Sequence, residues 1–179
     1  MKRQTFIDML KDIKEAVIAI DGPSACGKTT LANDLKQLYG VTVVHMDDYF
    51  LPASKRTNEI AGNIDFERLN KEVFNNMHKP YIESNHFNCK TNNLEKREQL
   101  KRTRIIIIEG AYSMHPYILK NYNLTVFVEV DKSIQKDRII KRNGRKKFIE
   151  FKNIWIPREN QYFDKLSIKK QANIIIKEN

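Results

Sequence analysis

Residues 22–29 read Gly22-Pro23-Ser24-Ala25-Cys26-Gly27-Lys28-Thr29 and satisfy the pattern G-x-x-x-x-G-K-[ST] in full. The spacing has a physical reason. The loop must curl so that successive backbone N–H groups converge on phosphate oxygens, and glycine tolerates the positive φ this demands. Lys28 can then reach the β- and γ-phosphates, while the Thr29 hydroxyl can ligate Mg²⁺. The positive end of the following helix dipole adds to the anion site. A random chain of this length would carry the pattern roughly once in a few hundred cases. Here it follows an apolar run and opens an apolar-periodic helix, the setting that a phosphate cradle requires. Gly22, Pro23, Ser24, Ala25, Cys26, Gly27, Lys28, Thr29 and Thr30 are therefore expected to bind a nucleoside triphosphate or a close relative, with Mg²⁺. Cationic surroundings could lower the thiol pKa of Cys26; the plainer expectation is a small residue that the loop tolerates.

A phosphate site needs a metal, and the metal needs carboxylates. The aliphatic run Ile105-Ile106-Ile107-Ile108 ends in Glu109 and Gly110. An acid at the C-terminal edge of a parallel strand faces the same crevice as the phosphate loop, so Glu109 can hold Mg²⁺ directly or through a water. A second run ends in His45-Met46-Asp47-Asp48-Tyr49-Phe50-Leu51-Pro52. One of its two carboxylates could take the proton of an attacking hydroxyl, the base role in phosphoryl transfer. Glu109 is followed by Gly110 and Ala111 rather than by a second acid, which favours transfer to an acceptor over hydrolysis. Lys28 and one acid of the Asp47–Asp48 pair are the catalytic candidates; Thr29 and Glu109, with Asp47, form the expected metal-binding set.

These residues have to be positioned by a fold, and the chain offers one. Phe6, Ile7, Leu10 and Ile13 lie at helical spacing, with the helix ending over Asp8 to Glu15. Ala16–Ile20, Val41–Val44, Arg104–Ile108, Leu124–Val130 and Ala172–Ile176 read as strands. Helical stretches fall at Lys28–Tyr39, stopped by Gly40, and at Phe66–Met77, Met114–Tyr122, Ser133–Arg142 and parts of Phe148–Phe163. Alternation of this kind predicts an α/β chain with a central parallel sheet and helices on both faces.

Composition narrows the classes. The 179 residues, 41% hydrophobic, suit a single domain over 1–179. No apolar run approaches the ~18–20 residues of a membrane span, and no signal-peptide core opens the chain, so a cytoplasmic protein without a membrane partner is expected. Two cysteines, Cys26 and Cys89, are too few for a disulfide framework. Lys and Arg exceed Asp and Glu by 32 to 22, for a net charge of +10. The excess is spread along the chain and lacks the interleaved aromatics of a single-strand binding surface, so no nucleic-acid partner is expected. The densest block is KRNGRKK, Lys141–Lys147. His86-x-x-Cys89 has no second pair to complete a zinc site, and His45, His78 and His115 show no metal spacing. No N-K-x-D element for guanine recognition is present.

Taken together, Gly22–Thr30, His45–Pro52, Asn63–Leu69 (NIDFERL), Ile107–Ser113 (IIEGAYS) and the later basic segment resemble the uridine kinase and phosphoribulokinase-like branch of P-loop kinases. The order and rough spacing match from about Ala16 to Asn173. The resemblance implies a P-loop NTPase fold with a basic lid, near 142–150, and an acceptor-site insertion near 78–103. It aligns Asp47 with the catalytic base, leaves Asp48 and Tyr49 to shape the acceptor site, and aligns Asp65 with an acid that binds ribose hydroxyls. Arg138 and Arg142 match, with one residue of slippage, lid arginines that neutralise the transferring phosphate, and Arg145 could share that work. The chain departs from the family at His86-Phe87-Asn88-Cys89, where a Tyr and an acid would receive the nucleoside base; Phe87 could still stack on a ring. Trp155, Pro157, Glu159, Tyr162 and Phe163 are assigned to core packing.

The reading implied is an ATP- and Mg²⁺-dependent kinase acting on a hydroxyl of a small, nucleoside-like acceptor, foremost the 5′-hydroxyl of uridine or cytidine. Nicotinamide riboside, pantothenate and sugar phosphates remain open as acceptors. So do a non-catalytic ATP-binding module and a polynucleotide end kinase.

Overall fold

Runs of isoleucine and valine buried on both sides leave the backbone little choice but a parallel sheet covered by helices. A computed structural model describes residues 1–88, 91–96 and 99–178 of the chain. Cys89 lies outside them. The elements follow one another as α1 (Arg3–Met9), β1 (Ala16–Asp21), α2 (Lys28–Tyr39), β2 (Thr42–His45), α3 (Phe66–Glu72) and four short strands, β3 (Tyr81–Ile82), β4 (His86–Asn88), β5 (Asn93–Glu95) and β6 (Leu100–Lys101). Then come β7 (Ile105–Glu109), α4 (Pro116–Leu119), β8 (Leu124–Val130), α5 (Lys132–Glu150), α6 (Ile156–Lys165), α7 (Ile168–Gln171) and β9 (Ile174–Glu178).

The main sheet has the order β2-β7-β1-β8-β9, and every pairing in it is parallel. Alternate side chains of one strand feed opposite cores, as the two-residue pleat requires. Ile105 and Ile107 pack with Phe6 of α1, with Leu10 just after it, and with Leu31 and Leu35 of α2. Ile106 and Ile108 pack on the other face with Leu69 of α3, Ile118 of α4, Tyr162 of α6 and Ile168 of α7. The insertion between α3 and β7 folds into two small antiparallel ladders, β3 with β6 and β4 with β5.

Several boundaries differ from those the periodicity predicts. The opening helix stops at Met9 and tightens into a single 3₁₀ turn over Leu10–Asp12, because Phe6, Ile7 and Leu10 are already buried and Ile13 is extended to enter β1. The helix expected over Met114–Tyr122 is one turn, with Pro116 at its start and the His115 side chain accepting the Tyr117 N–H. The last strand begins at Ile174, since Asn173 uses its side-chain oxygen to accept the Thr125 N–H and hydroxyl. The helix expected to end at Arg142 instead runs to Glu150 and passes through a π-helical turn, Phe151–Trp155, directly into α6. Its regularity breaks at Gly144, whose φ of 83° and ψ of 162° suit glycine almost alone.

Candidate active site

β1 delivers the chain to the phosphate loop and α2 takes it away, so the loop lies at the C-terminal edge of the sheet. The backbone turns at Gly22, where φ is +146° and an added Cβ would lie 2.1 Å from the Val128 carbonyl oxygen. Only glycine lets the loop pass this close to β8. Asp21, the last residue of β1, fixes the entry. Its Oδ1 accepts the Gly22 N–H at 2.7 Å, and its Oδ2 accepts the Met114 N–H at 2.9 Å and the Tyr162 hydroxyl at 2.7 Å. Full burial raises its pKa to about 6 despite those bonds and the nearby Lys28.

Within the loop, the Lys28 ammonium donates to the carbonyls of Gly22 (2.8 Å) and Pro23 (2.9 Å). Burial opposes its charge, but Glu159, Glu109 and Asp21 help to raise its pKa overall. The Cys26 thiol is fully buried, and burial pushes its pKa up, outweighing the pull of Lys28. The acidic thiol considered from the sequence is therefore not present.

The Thr29 hydroxyl lies 3.1 Å from Glu109 Oε1, at the end of β7. The same oxygen is 2.5 Å from His45 Nδ1, at the end of β2, and the hydrogen bond raises the histidine pKa. Adjacent parallel strands produce this contact directly, since His45 and Glu109 are register partners. Asp47 follows in a 3₁₀ turn over Met46–Tyr49. It is exposed and borders a cleft, where desolvation by the surrounding protein and the charge of Glu109 raise its pKa against Lys28. Thr29 and Glu109 together offer hard oxygen donors side by side at the mouth of the loop. That donor set fits Mg²⁺, which keeps waters and phosphate oxygens as its other ligands.

The cleft, about 870 Å³, brings together Ser24, Ala25, Gly27, Lys28, Thr29, Thr30, Asp47, Glu109, Arg138 and Arg142. Arg138 donates to the Cys26 carbonyl at 3.2 Å, and Arg142 lies 5.9 Å from the Phe151 ring. The other acceptor-side candidates do not line this cleft. Asp48 is buried and pairs with His86 Nδ1 at 2.5 Å. Tyr49 is covered by the Arg68 guanidinium, 4.3 Å from its ring, and its hydroxyl donates to Ser84. Asp65 caps α3, accepting the Arg68 N–H at 2.9 Å. Phe87 is only 3% exposed.

The assignment of Glu159 to core packing needs correction. Its Oε2 accepts the Ser24 N–H at 2.9 Å and its Oε1 accepts the Ser24 hydroxyl, so α6 places a carboxylate on the phosphate loop. Trp155 also lines the cleft, as do Arg56 and Asn63. A signal for α6 existed: Glu159 and Tyr162, three residues apart and hence on one helical face, are its buried residues. Nothing local marks Arg56, Asn63 or the role of Asp21.

Among the described residues no helix is long and apolar enough to cross a membrane. The model of the phosphoribulokinase / uridine kinase family matches residues 17–155. A uridine kinase of Chlamydia pneumoniae is 25% identical over 142 residues, 72% of this chain, and the match spans 63% of that relative's own length. In fold, the chain is similar to a solved structure described as a possible uridine kinase from Bacillus stearothermophilus, with a TM-score of 0.71, 23% identity, and coverage of 97% of this chain and 96% of that one. It is likewise similar to a candidate fructose transport system kinase from Silicibacter sp. TM1040, with a TM-score of 0.74, 16% identity and 98% of each chain covered. With its phosphate loop, strand-end acid and basic helical arm in place, the chain belongs to the phosphoribulokinase / uridine kinase family of P-loop kinases.

Proposed function

We propose that this protein transfers the γ-phosphoryl group of ATP to a hydroxyl of a small acceptor, foremost the 5′-hydroxyl of a pyrimidine nucleoside. The observation that carries the reading is the Thr29–Glu109–His45 chain beside Asp47 at the mouth of the phosphate loop. The loop N–H groups and Lys28 hold the phosphate chain, with Lys28 exchanging its two carbonyl contacts for phosphate oxygens. Thr29 and Glu109 would hold Mg²⁺, which when bound supplies positive charge to the phosphate oxygens. Asp47 accepts the acceptor's hydroxyl proton as that oxygen bonds to the γ-phosphorus, and the bond from phosphorus to the β-phosphate oxygen breaks to release ADP. Its raised pKa makes Asp47 a better base than an ordinary carboxylate. Arg138 and Arg142, on the arm beside the cleft, are placed to balance charge on the equatorial oxygens.

Arg56 and Asn63 supply cleft-facing polarity on the acceptor side, and the Asn63 amide nitrogen has no hydrogen-bond partner among the described residues. By the resemblance Asp65 is the candidate partner for a sugar diol; its Oδ1 is already held by the Arg68 N–H, so binding a diol there would require that cap to be shared or released. The resemblance of the chain to a uridine kinase supports a nucleoside as the first acceptor to test. The test is ADP release with Mg-ATP against uridine, cytidine, nicotinamide riboside, pantothenate and sugar phosphates. Release driven by one of the pyrimidine nucleosides is expected. Release driven instead by a sugar phosphate or a vitamin would reassign the acceptor, and background release with all of them would refute the kinase reading for this panel.

A further inference from the structure

Ser24 is gripped from both ends of the helical arm that spans the lid. Gln135, near the start of α5, donates from Nε2 to the Ser24 carbonyl at 2.9 Å. Glu159, on α6, accepts both the Ser24 N–H and the Ser24 hydroxyl across 135 residues of sequence. The Glu159 carboxylate is only 5% exposed, and burial raises its pKa while Lys28 and the two Ser24 donors pull the other way. A buried carboxylate is costly unless donors surround it, and here the donors belong to a loop built to receive an anion. Lys28, too, is turned onto carbonyl oxygens of the same loop.

A carboxylate oxygen and a phosphate oxygen make the same charge-assisted bond to an N–H or O–H group. We propose that Glu159 acts as an internal stand-in for phosphate: it competes with the polyphosphate chain for the Ser24 donors and yields them when the chain enters. The arm breaks at Gly144, between Arg142 and Glu159, and no loop separates the rest of α5, the π-helical turn and α6, so displacing Glu159 swings this far part of the arm against the part that carries Arg138 and Arg142. Filling the cradle and rearranging the lid then become one event. The inference rests on reading Gly22–Thr30 as a triphosphate site, and it adds that the protein's own carboxylate is the competitor.

The experiment is calorimetric titration of the full chain with tripolyphosphate and with Mg-ATP, for the wild type, Glu159→Gln and Glu159→Asp. Glu159→Gln leaves a neutral acceptor, whereas Glu159→Asp keeps the charge but shortens its reach to Ser24. Both variants are expected to bind tripolyphosphate about tenfold more tightly, the difference between a charged and a neutral or lost hydrogen-bond partner. Trp155, the only tryptophan, sits at the entrance to α6 and reports the movement by its emission. Its emission is expected to change on binding in the wild type and to change much less in Glu159→Asp. Tightening in Glu159→Gln alone would make Glu159 a bystander charge and overturn the proposal, as would unchanged or weaker binding in both. If none of the three proteins binds either ligand, the triphosphate reading itself falls. Should a Glu159 variant fail to fold, the wild type still decides: Trp155 emission is expected to change on adding tripolyphosphate alone, and tripolyphosphate binding without any change in emission would overturn the competition.

Discussion

Replacing Asp21 by asparagine probes the foundation on which the phosphate loop rests. The carboxylate is fully buried at the end of β1 and gathers the Gly22 N–H, the Met114 N–H and the Tyr162 hydroxyl. Burial raises its pKa from 3.8 to about 6, so between those values the folded protein holds a proton that the unfolded chain has released. Folding stability therefore falls as pH rises through this window and is flat above it with respect to this group. The interval corresponds to about 3 kcal/mol at about 1.4 kcal/mol per pH unit. Asparagine has nearly the same shape and does not titrate. It exchanges an acceptor for a donor and so adds an offset independent of pH. Urea denaturation of both proteins from pH 4 to pH 8 isolates the titrating part as the change in their stability difference. Relative to Asp21→Asn, the wild type is expected to lose about 2.4 kcal/mol between pH 4 and pH 7, or about 1.2 M in urea midpoint for a slope near 2 kcal/mol/M. A difference that stays constant across pH would refute the reasoning. So would a wild type that gains stability with rising pH, the signature of a carboxyl whose donors outweigh its burial.

Two further substitutions address the cradle and its metal site. Gly22→Ala would push a Cβ to 2.1 Å from the Val128 carbonyl at a backbone angle costing about 1–3 kcal/mol for other residues, so a lower melting temperature and loss of ATP binding are expected. Near-wild-type nucleotide affinity would contradict that account. His45→Ala removes the 2.5 Å partner that orients Glu109, and the Mg²⁺ concentration for half-maximal activity is expected to rise about tenfold or more, as when other outer-shell partners of metal ligands are lost. An unchanged Mg²⁺ dependence would show that Glu109 needs no such support.

The phosphate loop and the sheet are legible in the sequence because each is specified locally. The loop declares itself by spacing, and runs such as Ile105–Ile108 can be buried on both faces only in a covered parallel sheet. Strand ends then carry Asp47 and Glu109 to the loop by topology alone. Glu159 resists this logic. It lies between Arg158 and Asn160 in a charged stretch, and only the path of the arm around Gly144 and the π-helical turn returns it to Ser24. Asp21 is hidden for a related reason: as the last residue of a strand it looks like a solvated end, and its donors come from segments 93 and 141 residues away. The acceptor side is the least legible, because Tyr49 and Phe87 belong to aromatic types that serve equally as ligand platforms and as core, and burial decides between those uses.

The central claim is that Asp47 takes a proton from an acceptor hydroxyl while the loop holds ATP. Its most direct test is Asp47→Asn, with Mg-ATP affinity measured by titration and turnover by ADP release in the presence of the active acceptor. ATP binding within a few fold of wild type and turnover reduced by about 10²–10⁴ are expected for loss of a positioned base. Turnover equal to wild type at the same ATP affinity would contradict the account.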